Sequence, residues 1–202
     1  MDLTDGERAE IVRRAIALNI PDVPERALHA LGRLRRADGS KIAAYVVHAM
    51  DAIITDGTWL VVIDRKNPPG QGKPAFPGGF LDPQSNGRAE DPVHAAIRET
   101  MEEAGIALTG GTLVGRRNFD RPFDVRIAWH DLPAYGIGQG DAFLVSTQGV
   151  RFDVPDLTAL PLHAGDDALP GSARLVALAD LTREKMGVPD HYGLLETALG
   201  RK

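Results

Sequence analysis

Five apolar residues in succession, Trp59-Leu60-Val61-Val62-Ile63, limit what this chain can fold into more than any other feature. A strand wetted on one face alternates apolar and polar side chains, so an unbroken apolar run needs cover on both faces. Ile42–Thr55 just upstream is also rich in Ile, Val and Tyr, and Asp56-Gly57 between the two is a strong hairpin-turn signal. Thr112–Phe119, Ala142–Thr147 and Ala173–Leu178 read as further strands. Two core helices alternate with them, one ending at Gly105 and one spanning Asp190–Leu199 with Leu194, Leu195, Ala198 and Leu199 inward. Strands alternating with helices predict an α/β sandwich.

The connections are long. Asn67–Pro77 holds four prolines and two glycines, a stiff loop whose role is to set the backbone at Gly78-Gly79. Asp120–Gly140 reads as a flexible loop. Its Gly136-x-Gly138-x-Gly140 is not a dinucleotide fingerprint, because the sixth position is Asp141. Leu157–Ser172 is another long connection and contains Gly165-Asp166-Asp167.

Residues 1–40 read as an N-terminal helical extension and 41–202 as the main domain. Thr4-x-x-Glu7 resembles a capping box before Ile11, Val12, Ala15 and Ile16. Ala27, Leu28, Leu31 and Leu34 recur at three and four, which predicts a second helix ending at Asp38-Gly39. Such a pair suits an oligomer contact, with a homodimer as the simplest case, or a lid. Arg13, Arg14, Arg33, Arg35 and Arg36 concentrate positive charge there, but the chain as a whole carries −5, so no nucleic-acid partner is expected. The absence of cysteine excludes disulfides, thiolate metal sites and cysteine nucleophiles. No apolar run reaches the length of a membrane span and the N-terminus lacks a signal peptide's charge pattern, so a cytoplasmic protein without membrane contact is expected.

The helix ending at Gly105 carries the chemistry. Asp91 before Pro92 is a suitable N-cap with proline at N1, and Gly105 a suitable stop. Glu99, Glu102 and Glu103 stand at i, i+3 and i+4, on one face, with Val93, Ile97, Met101 and Ala104 roughly opposite as the expected buried side. No lysine or arginine follows any of the three glutamates at i+4; Arg98 precedes Glu102 at that spacing. Like charges so placed repel by a few tenths of a kcal/mol per pair. Converging carboxylates suit a hard divalent cation, and the alternative is a solvated acidic face.

Pro77-Gly78-Gly79-Phe80 followed by Arg98-Glu99-Thr100-Met101-Glu102-Glu103-Ala104-Gly105-Ile106 resembles the Nudix box. Glu90 falls where the box has its first glutamate, but Gly79 precedes it by eleven positions instead of six, so Pro83–Arg88 reads as an inserted, exposed loop tip. The resemblance covers about residues 45–200. It implies a Nudix-type α/β/α sandwich with a mixed sheet, and a hydrolase that cleaves the pyrophosphate of a nucleoside diphosphate linked to another group, using Mg²⁺ or Mn²⁺. Carried over by position, Glu99, Glu102 and Glu103 hold the metal with the Gly78 carbonyl, and Arg98 belongs to the catalytic set by pairing with Glu90. A helix ion pair with Glu102 is the other reading of Arg98.

Asp166 and Asp167 are the loop acids implied as general-base candidates, with Asp131 and Asp141 behind them; plain solvated loop acids are the alternative. His48 reads as a sheet histidine. Pro122, sixteen residues beyond Ile106, together with Arg65–Pro69 and Phe119–Arg121, resembles the ADP-ribose pyrophosphatase branch. This implies a small-molecule nucleotide substrate held by Arg65, Arg121 and Phe119, with AMP and ribose 5-phosphate as products. A hydrolase of NADH, of an altered nucleotide or of capped RNA, and a ligand-sensing Nudix domain without catalysis, are the alternatives.

Overall fold

A computed structural model describes the chain except residues 1, 22, 68, 69, 117–124, 164, 166, 167, 190, 201 and 202, with the backbone alone at 115 and 116. Its elements are α1 (Asp5–Ala17), β1 (Leu28–Arg35), β2 (Lys41–Thr55), β3 (Trp59–Asp64), β4 (Pro74–Ala75), β5 (Gly78–Phe80), α2 (Pro92–Ala104), β6 (Thr112–Arg116), β7 (Val125–Ile127), β8 (Ala142–Asp153), β9 (Arg174–Ala177) and α3 (His191–Ala198). They form two compact units.

The first unit comprises residues 1–49, 80–90 and 118–147. α1 begins as expected: the Thr4 hydroxyl accepts from Glu7 N, and the Glu7 carboxylate accepts from Thr4 N. Its apolar side, Ile11, Val12 and Ala15, packs on Leu31, Leu34, Ala44, Val46, Val125 and Leu144. The expected second helix is instead strand β1, antiparallel to β2 from Leu28↔Val47 to Arg35↔Lys41. The register shifts between Ala30 and Gly32, and this bulge brings Leu31 and Leu34 to the buried side three residues apart. A bulged strand thus copies helical spacing. Within Asp120–Gly140, expected as a flexible loop, the described residues from 125 onward include β7, which pairs with β8, a Leu132↔Ile137 bridge and the buried Ile137. In this loop Asp131 accepts from Gln139 N, and Asp141 accepts from Ala43 N and Gly138 N. The tip 83–88 is exposed throughout and closes on itself through Gln84 N to Arg88 O and Gly87 N to Gln84 O.

The second unit comprises residues 50–79, 91–117 and 148–202. β3 pairs antiparallel with β2, β4 and β9, and β6 pairs antiparallel with β8. Val154 N donates to Thr55 O at 2.9 Å, so β2 and β8 end side by side, as neighbours running the same way do, and the sheet is mixed. Leu60, Val61, Val62 and Ile63 are all buried, as the apolar run requires. The hairpin turn forms at Asp56-Gly57, with Gly57 at φ +89° and Asp56 Oδ1 accepting from Thr58 N and Trp59 N. One core joins Ile53, Leu60 and Phe76 to Leu178, Met186, Leu194, Leu195 and Ala198, with Leu199 partly buried beside them.

Candidate metal-binding site

Helix α2 runs between the ends the sequence sets for it. The Asp91 carboxylate accepts from Val93 N and His94 N, and Gly105 closes the helix in the left-handed region at φ +68°. Its buried face matches the expected one fully only at Ala104. Met101 is 47% exposed and Val93 and Ile97 only half-buried, whereas Ala95, Ala96, Thr100, Ala104 and two of the glutamates, Glu99 and Glu103, are buried. The acidic stripe therefore points inward, with Glu102 at its exposed margin.

What admits two carboxylates there is missing bulk on the facing strand. A Cβ on Gly79 would fall 2.2 Å from Glu99 Oε1, and one on Gly78 would fall 2.3 Å from Met50 O. Any side chain at either position would displace the strand or the glutamate. Gly78 N donates to Glu103 Oε2 at 2.7 Å, a charge-assisted bond that sets that carboxylate's position. Arg98 Nη1 lies 2.8 Å from Glu99 Oε1 and 3.1 Å from Glu102 Oε2, so one guanidinium spans the buried and the exposed acid.

The donors are all hard oxygens, the chemistry that Mg²⁺ and Mn²⁺ take. Among the described residues no three Asp, Glu or His side chains gather tightly enough to enclose a cation. Mg²⁺ does not require such a cage: it keeps several waters and commonly binds through one or two carboxylates plus substrate phosphates. Glu99 and Glu103, buried against a glycine strand, fit that pattern.

Of the other residues expected at the site, Arg65 is half-buried at the end of β3. Its N donates to Lys73 O, and its side chain lies on Gly187, where a Cβ would meet Arg65 Cδ at 2.5 Å. Phe119, Arg121, Asp166 and Asp167 lie outside the described residues, as does Pro122. The residues flanking the two aspartates are anchored: Gly165 N donates to Glu103 O, at the end of α2, and Ala168 bridges Arg65. The hydrogen bonds to Asp131 and Asp141 give both carboxylates local structural roles in the first unit. His48 is fully buried in β2, as expected of a sheet histidine. One buried ionisable pair escaped the sequence reading: Asp51 on β2 and His191 at the start of α3, whose Nδ1 meets Asp51 Oδ2. Their separation along the chain leaves no local signal for it.

The sequence matches the NUDIX domain family over residues 46–196. Among solved structures, a bifunctional NMN adenylyltransferase/ADP ribose pyrophosphatase of Francisella tularensis, complexed with AMP and Mn, is similar at 20% identity and a TM-score of 0.51. That alignment covers 96% of this chain and 47% of the other, so this chain spans about half the length of that relative. The NUDIX domain of Shewanella oneidensis NrtR, complexed with ADP ribose, is 16% identical at a TM-score of 0.48, covering 76% of this chain and 86% of that one. A C. elegans Ap4A hydrolase is 19% identical at a TM-score of 0.45, covering 76% and 95%. No curated protein matches the sequence. The family match spans most of the chain and takes in both the glycine strand and the helix that turns its glutamates toward it: this chain belongs to the Nudix family.

Proposed function

We propose that this Nudix pyrophosphohydrolase cleaves ADP-ribose to AMP and ribose 5-phosphate, with Mg²⁺ or Mn²⁺ held by Glu99, Glu102 and Glu103 and the Gly78 carbonyl. The observation that carries the cation site is the burial of Glu99 and Glu103 against Gly78-Gly79. Carboxylates turned inward against one glycine strand present the hard oxygens that a divalent cation takes. When bound, that cation lowers the pKa of a water and offsets charge gathering on the phosphoryl oxygens.

The chain's own groups do the placing. The Gly78 N–H fixes Glu103, and the Arg98 guanidinium holds Glu99 and Glu102 in register along α2. Glu102 stands half-exposed at the margin, paired with Arg98. Water's oxygen bonds to one phosphorus of the pyrophosphate, the bridging P–O bond breaks toward the other, and a base takes the water's proton. Asp166 or Asp167 is the proposed base, carried on a segment anchored at Gly165 to the end of α2.

ADP-ribose as substrate is supported by Pro122, sixteen residues beyond Ile106, and by the Arg65–Pro69 and Phe119–Arg121 segments. Arg65, Arg121 and Phe119 are proposed to hold the groups remote from the pyrophosphate, the arginines through forked donors and the aromatic by stacking. The AMP and Mn in the Francisella tularensis structure agree with this reading, since AMP is one of the two products. The test compares ADP-ribose, NADH, a diadenosine polyphosphate, GDP-mannose and an oxidised nucleoside triphosphate under one Mg²⁺ condition. ADP-ribose is expected to give the highest kcat/KM. A tenfold preference for any of the others overturns the substrate and leaves the family chemistry standing.

A further inference from the structure

The site described above leaves the buried Asp51–His191 pair without a role. Asp51 is 5% and His191 7% exposed, beside a core built from Ile53, Leu194 and Leu195. An ionisable pair in such a place must offset the loss of its hydration, and apolar side chains would fill the space at less cost. What distinguishes the pair is its neighbour. His191 Nδ1 engages Asp51 Oδ2, and the other oxygen, Oδ1, with the Asp51 Cα and the Met50 carbonyl oxygen, walls the Cα of Gly78: a Cβ there would meet the three at 2.9, 3.0 and 2.3 Å. Gly78 is the residue whose N–H holds Glu103 Oε2. The strand is tied just before it by Ala52 N to Pro77 O and by Gly187 N to Pro74 O, each 2.7 Å.

We propose that His191 and Asp51 are positioning residues for the cation site. The imidazole fixes the Asp51 carboxylate, Asp51 sets how far Gly78 stands from β2, and Gly78 sets the place of the Glu103 carboxylate. The start of the closing helix is thereby coupled to an acid on the box helix through one carboxylate and one glycine. The inference rests on the reading of Glu103 as a cation ligand.

The experiment measures Mn²⁺ binding alone, by the electron paramagnetic resonance signal of the free ion, with Tm recorded beside it. His191→Asn keeps an N–H donor near the Nδ1 position, whereas His191→Gln moves the donor one bond further out. His191→Asn is expected to bind Mn²⁺ within about threefold of the wild type and His191→Gln at least about tenfold more weakly. A purely structural role would lower Tm in both and leave the Mn²⁺ affinity alone. Equal affinity in His191→Gln and wild type, or an equal loss in both variants, overturns the positioning role. Should His191→Gln fail to fold, the isosteric Asp51→Asn answers the same question, and unchanged Mn²⁺ binding there overturns it. Wild-type protein that takes up no Mn²⁺ overturns the cation reading itself, and this proposal with it.

Discussion

At the scale of single residues the proposed cation site rests on the two buried glutamates. Glu103→Gln keeps an oxygen for the Gly78 N–H but removes the charge. Hydrolysis is expected to fall by roughly a thousandfold, the size of effect seen when one group facing the transition-state charge is lost. The same change relieves repulsion within the acid stripe, so without metal the variant should unfold at no lower a urea concentration than the wild type. Full Mg²⁺-dependent turnover of Glu103→Gln after chelator treatment would remove Glu103 from the site. The cap at Asp91 and the stop at Gly105 were legible in the sequence, because capping is a local property. The inward turn of the acid stripe was not. Counting apolar residues places Met101 inside and Glu99 outside, and only the facing Gly78-Gly79, twenty residues away in sequence, reverses that assignment.

Among the elements, the hairpin, the box helix and the closing helix follow from periodicity, and β1 does not. Leu31 and Leu34 have helical spacing only because a bulge falls between Ala30 and Gly32. The glycine at 32 was the available warning, since glycine weakens a helix interior, and in the strand it takes φ +81°. α1 yields a pH prediction. The Glu7 carboxyl is held below its usual range, chiefly by the Thr4 backbone N–H and further by the Ala37 N–H and the Arg36 guanidinium, against the opposing effect of its burial. A carboxyl whose folded pKa is depressed stabilises above its unfolded pKa, and that contribution disappears as pH falls through the folded value. Glu7→Gln should therefore cost about 1 kcal/mol at pH 7, in the range of a lost cap. The gap from wild type in urea unfolding should close below about pH 4; a gap unchanged at pH 3 would contradict it. The tip 83–88 yields another prediction. It is exposed and satisfies its own backbone, so deleting about five residues there should leave hydrolysis within roughly tenfold, because loop shortening changes closure entropy little. Loss of Mn²⁺ binding in a folded deletion variant would show that the loop supplies ligands.

For the whole molecule, the proposed cation site predicts a stability that depends on metal concentration. A cation that binds the folded chain and not the unfolded one stabilises by RT ln(1 + [L]/Kd), about 2.7 kcal/mol at a hundred times Kd. For a chain of 202 residues each kcal/mol moves Tm by roughly 2–4 °C, so saturating Mn²⁺ should raise Tm by about 5–10 °C. The gain has a physical source in the fold: Glu99 and Glu103 are both buried against one glycine strand, where like charges repel. A shared cation removes that repulsion, whereas a solvated acidic face would gain almost nothing from a divalent ion at millimolar concentration in physiological salt. The two explanations of the stripe therefore separate in a thermal scan. Wild type should show a Tm that climbs with the logarithm of Mn²⁺ above Kd, and Glu103→Gln a Tm that is higher without metal and nearly flat with it. Parallel curves for the two proteins would mean that Mn²⁺ acts elsewhere on a chain of charge −5, and the inward glutamates would need another partner.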